Sequence, residues 1–540
     1  MHQRKLSVWV LLPLLLAAAL VTGLYFGSRF QPRDPHAGIP GMPGLFFLRG
    51  ASPSDKLGEV IDLLDRQYVD SVRTDELVDE VLQELLQRLD PHSYYISAAE
   101  LQAAQEPLEG SFEGIGVEFA IQRDTIVVIA PVEGGPSAAK GIRAGDRILQ
   151  ADTVRLTGRE VTNDLVMKTL RGKGGSAVDL RILRSGRKDP FEVTVTRGKI
   201  PINSVAAALV TPDGTGFIKL TRFARNTHEE VVNAAEKLRS QGMKRLVLDL
   251  RGNGGGYLDA AIDLADEFLP AGRMIVYTEG RTHPRRDFTA TGAGLLEDIP
   301  LAVLIDEGSA SASEIIAGAV QDNDRGVIVG RRSFGKGLVQ EHIPLPDRSA
   351  VRITTARYHT PSGRCIQRPY GEGIDYRDEL EARFDHGELL NRDSIKVDSS
   401  EVFTTLKGRK VYGNGGITPD VFVPADTSET SGYLSELYFS GALNQYAFDV
   451  ADRDRRKLEA LGGPEAFRDR FTVGNDLMTG LDRYAQEQGI RNDPAGQARS
   501  RKAIALRLKA GIARNIWGMD AFYGILLEAD SAFTEARRSL

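Results

Sequence analysis

Three short stretches of this 540-residue chain combine residue types that do chemistry: DLRGNGGG (249–256), GSASASEI (308–315) and SFGKGLVQ (333–340). The second follows the apolar run LAVLIDE and opens a predicted helix. Small neighbours leave the Ser311 hydroxyl accessible, and a helix start offers unpaired N–H groups and positive potential. A nucleophile whose attack creates an oxyanion needs both. The same residues also read as a capping box, Ser311-x-x-Glu314, in which the serine only caps the helix. In the third stretch Lys336 lies between two glycines. On an extended strand Lys336, Leu338 and Gln340 share one face, so Gln340 is expected to accept a hydrogen bond from the amine. Burial disfavours the ammonium form, and a neutral lysine can act as general base toward a serine. The plain alternative is a phosphate-binding glycine loop or a solvated turn, although no Ser or Thr follows Lys336 as a Walker pattern requires. The first stretch ends a buried strand. Its glycines expose backbone N–H groups at little steric cost, as half an oxyanion hole or as a mere turn.

Together and in this order, the three stretches resemble the signature of the carboxyl-terminal processing proteases, also called tail-specific proteases. The resemblance spans about 55–425 and includes LDPHS, GIGVEF, AGDRIL, TTARYHTPSGR and GITPDVFVP. It implies a serine endopeptidase with Ser311 as nucleophile, Lys336 as base and Gln340 positioning the lysine. It implies oxyanion N–H groups from Ala312 and Gly255, the latter chosen over Gly254. Catalysis would pass through an acyl-enzyme without metal or cofactor. The implied fold is a multidomain α/β chain: a crotonase-like protease core with an inserted PDZ domain, a helical N-terminal region and a helical C-terminal extension. In the PDZ part, Gly114, Ile115, Gly116 and Val117 would hold the terminal carboxylate of a protein or peptide substrate while its tail adds as a strand. Phe119, on the face of Val117, would line the pocket for the terminal side chain. His359 stands where tyrosine is usual and Cys365 where serine is common. Residues 370–412 resemble an insertion found in one branch, and the tail after 426 falls outside the common core. Two rival readings are a tricorn-like Ser-His hydrolase using His283, His342 or His359, and a catalytically silent PDZ scaffold. The presence of both Ser311 and Lys336 argues against the scaffold.

The elements that must carry these residues divide the chain. Leu57, Val60, Ile61 and Leu64, then Leu77, Val81, Leu82, Leu85 and Leu89, recur at helical spacing and predict two amphipathic packing helices within 55–109. Residues 110–198 alternate short strands and turns, with a helix at 163–170, as a small partly open barrel would. From 199 to 425 strands alternate with helices, an α/β pattern. In the helical tail, 426–540, Ile504, Leu508, Ile512 and Ile516 repeat every four residues, which predicts a packing or partner-binding appendage. At the other end Arg4 and Lys5 precede an uncharged run, 7–26, about as long as a bilayer-spanning helix. A Pro- and Gly-rich linker, 27–54, follows. This predicts a membrane anchor, or a signal segment, with the rest of the chain outside the cytoplasm. The composition, 41% hydrophobic and 26% charged, is that of a globular protein. A net charge of −6 argues against a nucleic-acid partner. The one cysteine, Cys365, forms no internal disulfide and is a weaker nucleophile candidate than Ser311. A homo-oligomer or an adaptor protein is left open.

Overall fold

The structure, a computed structural model, describes residues 52–540 apart from 123, 133, 185, 372–375, 377 and 397–399. The expected anchor at 7–26 and nearly all of the linker lie outside the described residues. Among the described residues no helix is long and apolar enough to cross a membrane. Of the described residues, those up to Leu77 belong to one compact unit and Val78–Leu540 to another. In the first, helix α1 (Pro53–Gln67) starts in a capping box between Ser52 and Asp55 and buries none of its residues. Leu57, Val60 and Leu63 are exposed, so the packing expected of this helix is not seen among the described residues.

Helix α2 (Thr74–Gln87), in which the division falls, leads to strand β1 (Tyr94–Ile96) and helix α3 (Leu101–Glu109). A small β domain follows: β2 (Ser111–Gly114), β3 (Val117–Gln122), β4 (Thr125–Pro131), α4 (Pro136–Ala139), β5 (Arg147–Ala151), β6 (Val154–Arg155), α5 (Asn163–Leu170), β7 (Ala177–Leu183), β8 (Phe191–Thr196) and β9 (Gly198–Pro201). β2 pairs with β9 at its neck. The remaining strands run β3-β4-β5-β7-β8 with β6 on β5, which leaves β3 at an edge. Alternation in β7 sends Val178, Leu180 and Ile182 inward to a core shared with Ile126, Val128 and Ile148.

The next segment contains β10 (Val205–Val210), β11 (Thr215–Leu220), α6 (Thr227–Ser240), β12 (Arg245–Asp249), α7 (Leu258–Asp266), β13 (Met274–Glu279), β14 (Arg286–Thr289), β15 (Leu301–Ile305), α8 (Ala312–Asp322), β16 (Val327–Gly330), β17 (Leu338–Pro344), β18 (Ala350–His359), α9 (Glu379–Asp385), β19 (Val402–Thr404), β20 (Lys410–Tyr412) and β21 (Val421–Phe422). A six-stranded sheet, β10-β11-β12-β15-β16-β21, is parallel except at β10. Its central strands are apolar runs because both faces are covered. One face packs on α6, α7 and α8 through Leu246, Leu248, Val303 and Ile305. A second sheet orders β1-β18-β13-β14, with β17 on β18. β12 and β15 are neighbours, so the loops leaving their C-terminal ends, where α/β sheets place ligands, bring DLRGNGGG and GSASAS side by side.

The tail is helical: α10 (Gly432–Phe439), α11 (Ala442–Glu459), α12 (Pro464–Arg470), α13 (Asn475–Glu487), α14 (Pro494–Trp517), α15 (Met519–Leu526) and α16 (Ser531–Ser539). Ile504, Leu508 and Ile512 face a core of the tail's own, with Leu437, Leu443 and Leu481. α16 leaves that core. Its Phe533 and Ala536 cover the other face of the six-stranded sheet, against Phe217, Val247, Leu304 and Val329.

Candidate active site

Ser311 precedes the first turn of α8 with φ 56° and ψ −113°. A positive φ in a non-glycine residue costs about 1–3 kcal/mol and survives only where surroundings enforce it. The Ser-x-x-Glu box exists in outline, but its halves are unequal. Ser311 N–H donates to Glu314 Oε2 at 2.8 Å, whereas Glu314 N–H goes to the Ser311 carbonyl at 2.8 Å. The Ser311 hydroxyl therefore makes no capping hydrogen bond. Its neighbours differ. Ser309 Oγ donates to the Leu250 carbonyl at 2.9 Å, and Ser313 Oγ donates to the Asn253 carbonyl at 2.8 Å. Both side chains are buried and tie the serine loop to the glycine loop.

The Asn253 carbonyl also accepts from Ala310 N–H at 3.0 Å, which draws the two loops together. Gly255 was the expected oxyanion donor, and the geometry argues otherwise. Its N–H donates to Asn253 Oδ1 at 2.9 Å. A Cβ at Gly255, where φ is +97°, would lie 2.8 Å from both Ser311 Cβ and the Ala310 carbonyl. Gly255 is thus the point of close backbone approach. Gly254 lines the cleft with Ser311 and Ala312. Among the described residues, neither Gly254 N–H nor Ala312 N–H has an acceptor. Sequence alone does not distinguish adjacent glycines in a run.

The cleft, about 300 Å³, also takes in Lys336, Gln340, Leu338, Ile315, Tyr257 and Leu258. Lys336 lies before β17, not on it, and a bulge falls between Val339 and Gln340. The shared-face argument for Lys336 and Gln340 therefore fails, because the bulge between the two breaks the two-residue period. Even so, Lys336 Nζ donates to Gln340 Oε1 at 3.0 Å. Gln340 Nε2 donates to the His92 carbonyl at 2.6 Å. A carbonyl only accepts, so it fixes which end of the amide faces the lysine. Asp90 shapes the turn that presents this carbonyl, accepting from His92 N–H at 2.8 Å and Ser93 N–H at 2.9 Å. Burial, and then the Arg352 cation, pull the Lys336 amine down to about 8 against the opposing pull of Glu314 and Asp90. Burial and the neighbouring Lys336 likewise lower the His92 imidazole to about 4. No hydrogen bond joins Ser311 Oγ to Lys336 Nζ.

Two residues read otherwise, or not at all, from sequence link the loops. Glu314, fully buried, accepts from Ser311 N–H and Lys336 N–H on Oε2 (2.8 and 2.9 Å) and from Ser333 Oγ and Gly335 N–H on Oε1 (2.5 and 2.7 Å). Burial pushes its carboxyl up to about 7, against the pull of these donors. The Tyr358 hydroxyl lies 2.5 Å from the Lys336 carbonyl and 3.2 Å from the Ser311 carbonyl, sharing one proton chiefly with the nearer. Glu314 showed only a capping signal, and Tyr358 none beyond its motif. The rival histidines lie elsewhere: His283 faces Glu341 at 3.4 Å, and His359 stacks on Tyr277 at 4.6 Å. His342 lines the cleft but contacts Gln105 at 3.2 Å. None hydrogen-bonds Ser311. Burial raises the Cys365 thiol.

In the β domain, Gly114 closes β2 and the Ile115 side chain is buried in the core. The Gly116 carbonyl accepts from Val132 N–H at 3.0 Å at the φ of +73° that glycine permits. Ile115 N–H and Gly116 N–H have no acceptor among the described residues. Val117 opens the edge strand β3, and it, Phe119 and Leu165 of α5 are half-buried against one cluster.

The family model of peptidase family S41 matches residues 214–376, a PDZ domain model matches 114–195, and a family of unknown function matches 433–518. A carboxy-terminal-processing protease of Bartonella bacilliformis is 33% identical over 400 residues, covering 73% of this chain and 89% of that protein. A carboxy-terminal processing protease of Bacillus subtilis is 31% identical over 349 residues, covering 64% and 72%. Among solved structures, the photosystem II D1 C-terminal processing protease is 27% identical and covers 69% of this chain and 93% of that one, with a TM-score of 0.34.

Proposed function

The chain belongs to peptidase family S41, among the carboxy-terminal-processing proteases, and from that premise we propose that it cuts protein substrates with Ser311 as nucleophile and Lys336 as base. One observation carries the assignment. Of the three serines in GSASAS, two use their hydroxyls to hold the glycine loop, and the third faces the cleft with a buried amine.

A neutral Lys336 has two N–H bonds and a lone pair. Gln340 accepts from one N–H, which leaves the lone pair for the Ser311 proton. Ser311 Oγ attacks the scissile carbonyl carbon as its proton passes to Nζ. The oxyanion meets the N–H groups of Gly254 and Ala312, an arrangement supported by their lack of other acceptors. As the C–N bond breaks, Nζ returns the proton to the leaving amine and an acyl ester remains on Ser311. Water, deprotonated by the same amine, then hydrolyses the ester. The proposal holds to the crotonase-like description of the core, supported by its α/β layering.

Substrate choice belongs to the PDZ part. The N–H groups of Ile115 and Gly116 would take a terminal carboxylate, the tail would add to the free edge of β3, and Val117, Phe119 and Leu165 would meet its last side chain. An anchor at 7–26, with the catalytic part outside the cytoplasm, remains part of the proposal on sequence grounds; release of the protein by alkaline carbonate washing of membranes would count against it. The central test is a set of single variants assayed on one peptide. Ser311→Ala should abolish cleavage, while Ser309→Ala and Ser313→Ala, which lose a loop tie, keep it at reduced thermal stability. A dead Ser313→Ala beside an active Ser311→Ala overturns the assignment.

A further inference from the structure

Arg251 sits three residues before Gly254, and its backbone and side chain are held on several sides. Its N–H donates to Asp249 Oδ1 at 2.9 Å. Its carbonyl accepts from Lys219 Nζ at 2.5 Å. Its guanidinium donates to Asp249 from Nε and Nη2, at 3.0 and 2.6 Å. These partners all lie in the sheet beneath the loop. The remaining partner comes from the far end of the chain: Nη1 and Nη2 donate to the two carboxylate oxygens of Asp530 at 3.2 and 2.6 Å. The planar guanidinium matches two carboxylates at once, a geometry that Lys does not reproduce. Two cations, Lys219 and Arg251, meet two anions, Asp249 and Asp530. The side chains are 10%, 23%, 2% and 18% exposed, so loss of one anion leaves a largely desolvated positive charge under the loop.

Asp530 is itself anchored. It caps α16, accepting from Phe533 N–H at 3.0 Å, and that helix lies on the sheet through Phe533, whose ring meets Phe217 edge-on at 5.7 Å. The Arg537 carbonyl also accepts from Arg245 Nη1 at 3.2 Å, next to the start of β12.

We propose that Asp530 is a positioning residue for the glycine loop, acting through Arg251 to hold the Gly254 N–H where the oxyanion forms. The last helix is then a support of the active site and not only a packing element. This rests on the reading of Gly254 and Ser311 given above.

The test uses the full chain and separates the two jobs of Asp530. Asp530→Asn keeps a good capping residue and removes the charge that pairs with Arg251. Asp530→Glu restores the charge. A misplacement of about 1 Å costs up to about 100-fold in rate, and a loosened loop should cost less, so kcat for Asp530→Asn is expected about 10-fold down with KM unchanged. Affinity for a peptide boronate, which places an oxygen in the oxyanion site, should fall in the same ratio, and Asp530→Glu should recover most of both. Asp530→Ser, also a capping residue, serves if the Asn variant does not fold. A capped variant with wild-type kcat and boronate affinity overturns the proposal, as does a kcat loss that boronate affinity does not follow. If Ser311→Ala is inert and Asp530→Asn is normal, the clamp alone fails. If Ser311→Ala still cuts, the underlying reading fails.

Discussion

Replacing Glu314 by glutamine exchanges one acceptor oxygen for an NH2 group at the junction of the Ser311 and Lys336 loops. The four donors around it lie at 2.5 to 2.9 Å. With the new nitrogen toward Ser311 and Lys336, two backbone N–H groups lose their acceptor. With it toward Ser333 and Gly335, Ser333 Oγ, which already accepts from Ile417 N–H at 2.6 Å, can accept on its second lone pair as its own proton turns away, and Gly335 is the one backbone N–H orphaned. The second orientation is therefore preferred. One buried, orphaned donor costs about 1–3 kcal/mol. Part of that is offset because the amide no longer carries the cost of burying a charge. Urea unfolding should then show about 1–2 kcal/mol of lost stability, leaving the variant folded at assay temperature. The rate should suffer more. Gly335 is the residue before Lys336, and a shift of the amine by about 1 Å costs up to about 100-fold. Steady-state cleavage of a fluorogenic peptide should give kcat about 10- to 100-fold down, with KM changed less than about 3-fold. A variant that loses the stability but keeps its kcat refutes the claim that Glu314 sets the geometry of Ser311 and Lys336.

Other expectations follow from single features of the site. Cleavage should rise with pH through about 8, where Lys336 loses its proton, and Lys336→Arg should stay inactive across the same range because guanidinium keeps its charge. The amine sits below the ordinary lysine value of 10.5, so between about 8 and 10.5 the unfolded chain binds more protons and stability should climb with pH; unfolding curves of Lys336→Met should lack that climb. Gly254→Ala should cut nearly as well as wild type, since its Cβ meets nothing within 4 Å, whereas Gly255→Ala should be inactive through its 2.8 Å approach to Ser311 Cβ; the reverse order would sink the loop assignment. Amidating the C-terminus of a substrate leaves the scissile bond intact, so equal cleavage of free and amidated peptides would reject carboxylate capture at Ile115 and Gly116.

The parts of the site that were legible in the sequence are those whose chemistry and neighbours are local. Ser311 lies between small residues at a helix start, and Lys336 lies between glycines. Period and composition likewise separated the β domain, the α/β core and the helical tail. What escaped depends on contacts far apart in the chain. Gln340 is oriented by a carbonyl 248 residues away, so its link to Lys336 survives although the strand argument for it does not. Glu314 looked like half of a capping box because its contacts with Ser333, Gly335 and Lys336 come from another loop. In GGG the choice between Gly254 and Gly255 turns on which N–H meets Asn253, a matter of φ and not of residue type. In the tail, the four-residue stripe of Ile504 and Leu508 predicted a packed helix correctly, while Asp530 carried no local signal at all.

The distance along the chain between Arg251 and Asp530 sets a timetable. The two are 279 residues apart, and a ribosome adds roughly 5–20 residues per second. The glycine loop is thus synthesised roughly 15 to 60 seconds before the residue that clamps it exists. Late in that interval, once residue 425 has been made, the PDZ part and the core have their full sequence, and domains fold as units as they emerge. The serine and the lysine can meet, but the loop beside them still lacks its last tie. A nascent chain of this design lacks the Arg251–Asp530 ion pair until Asp530 has been made, so on the proposal above its cleavage stays low up to that point.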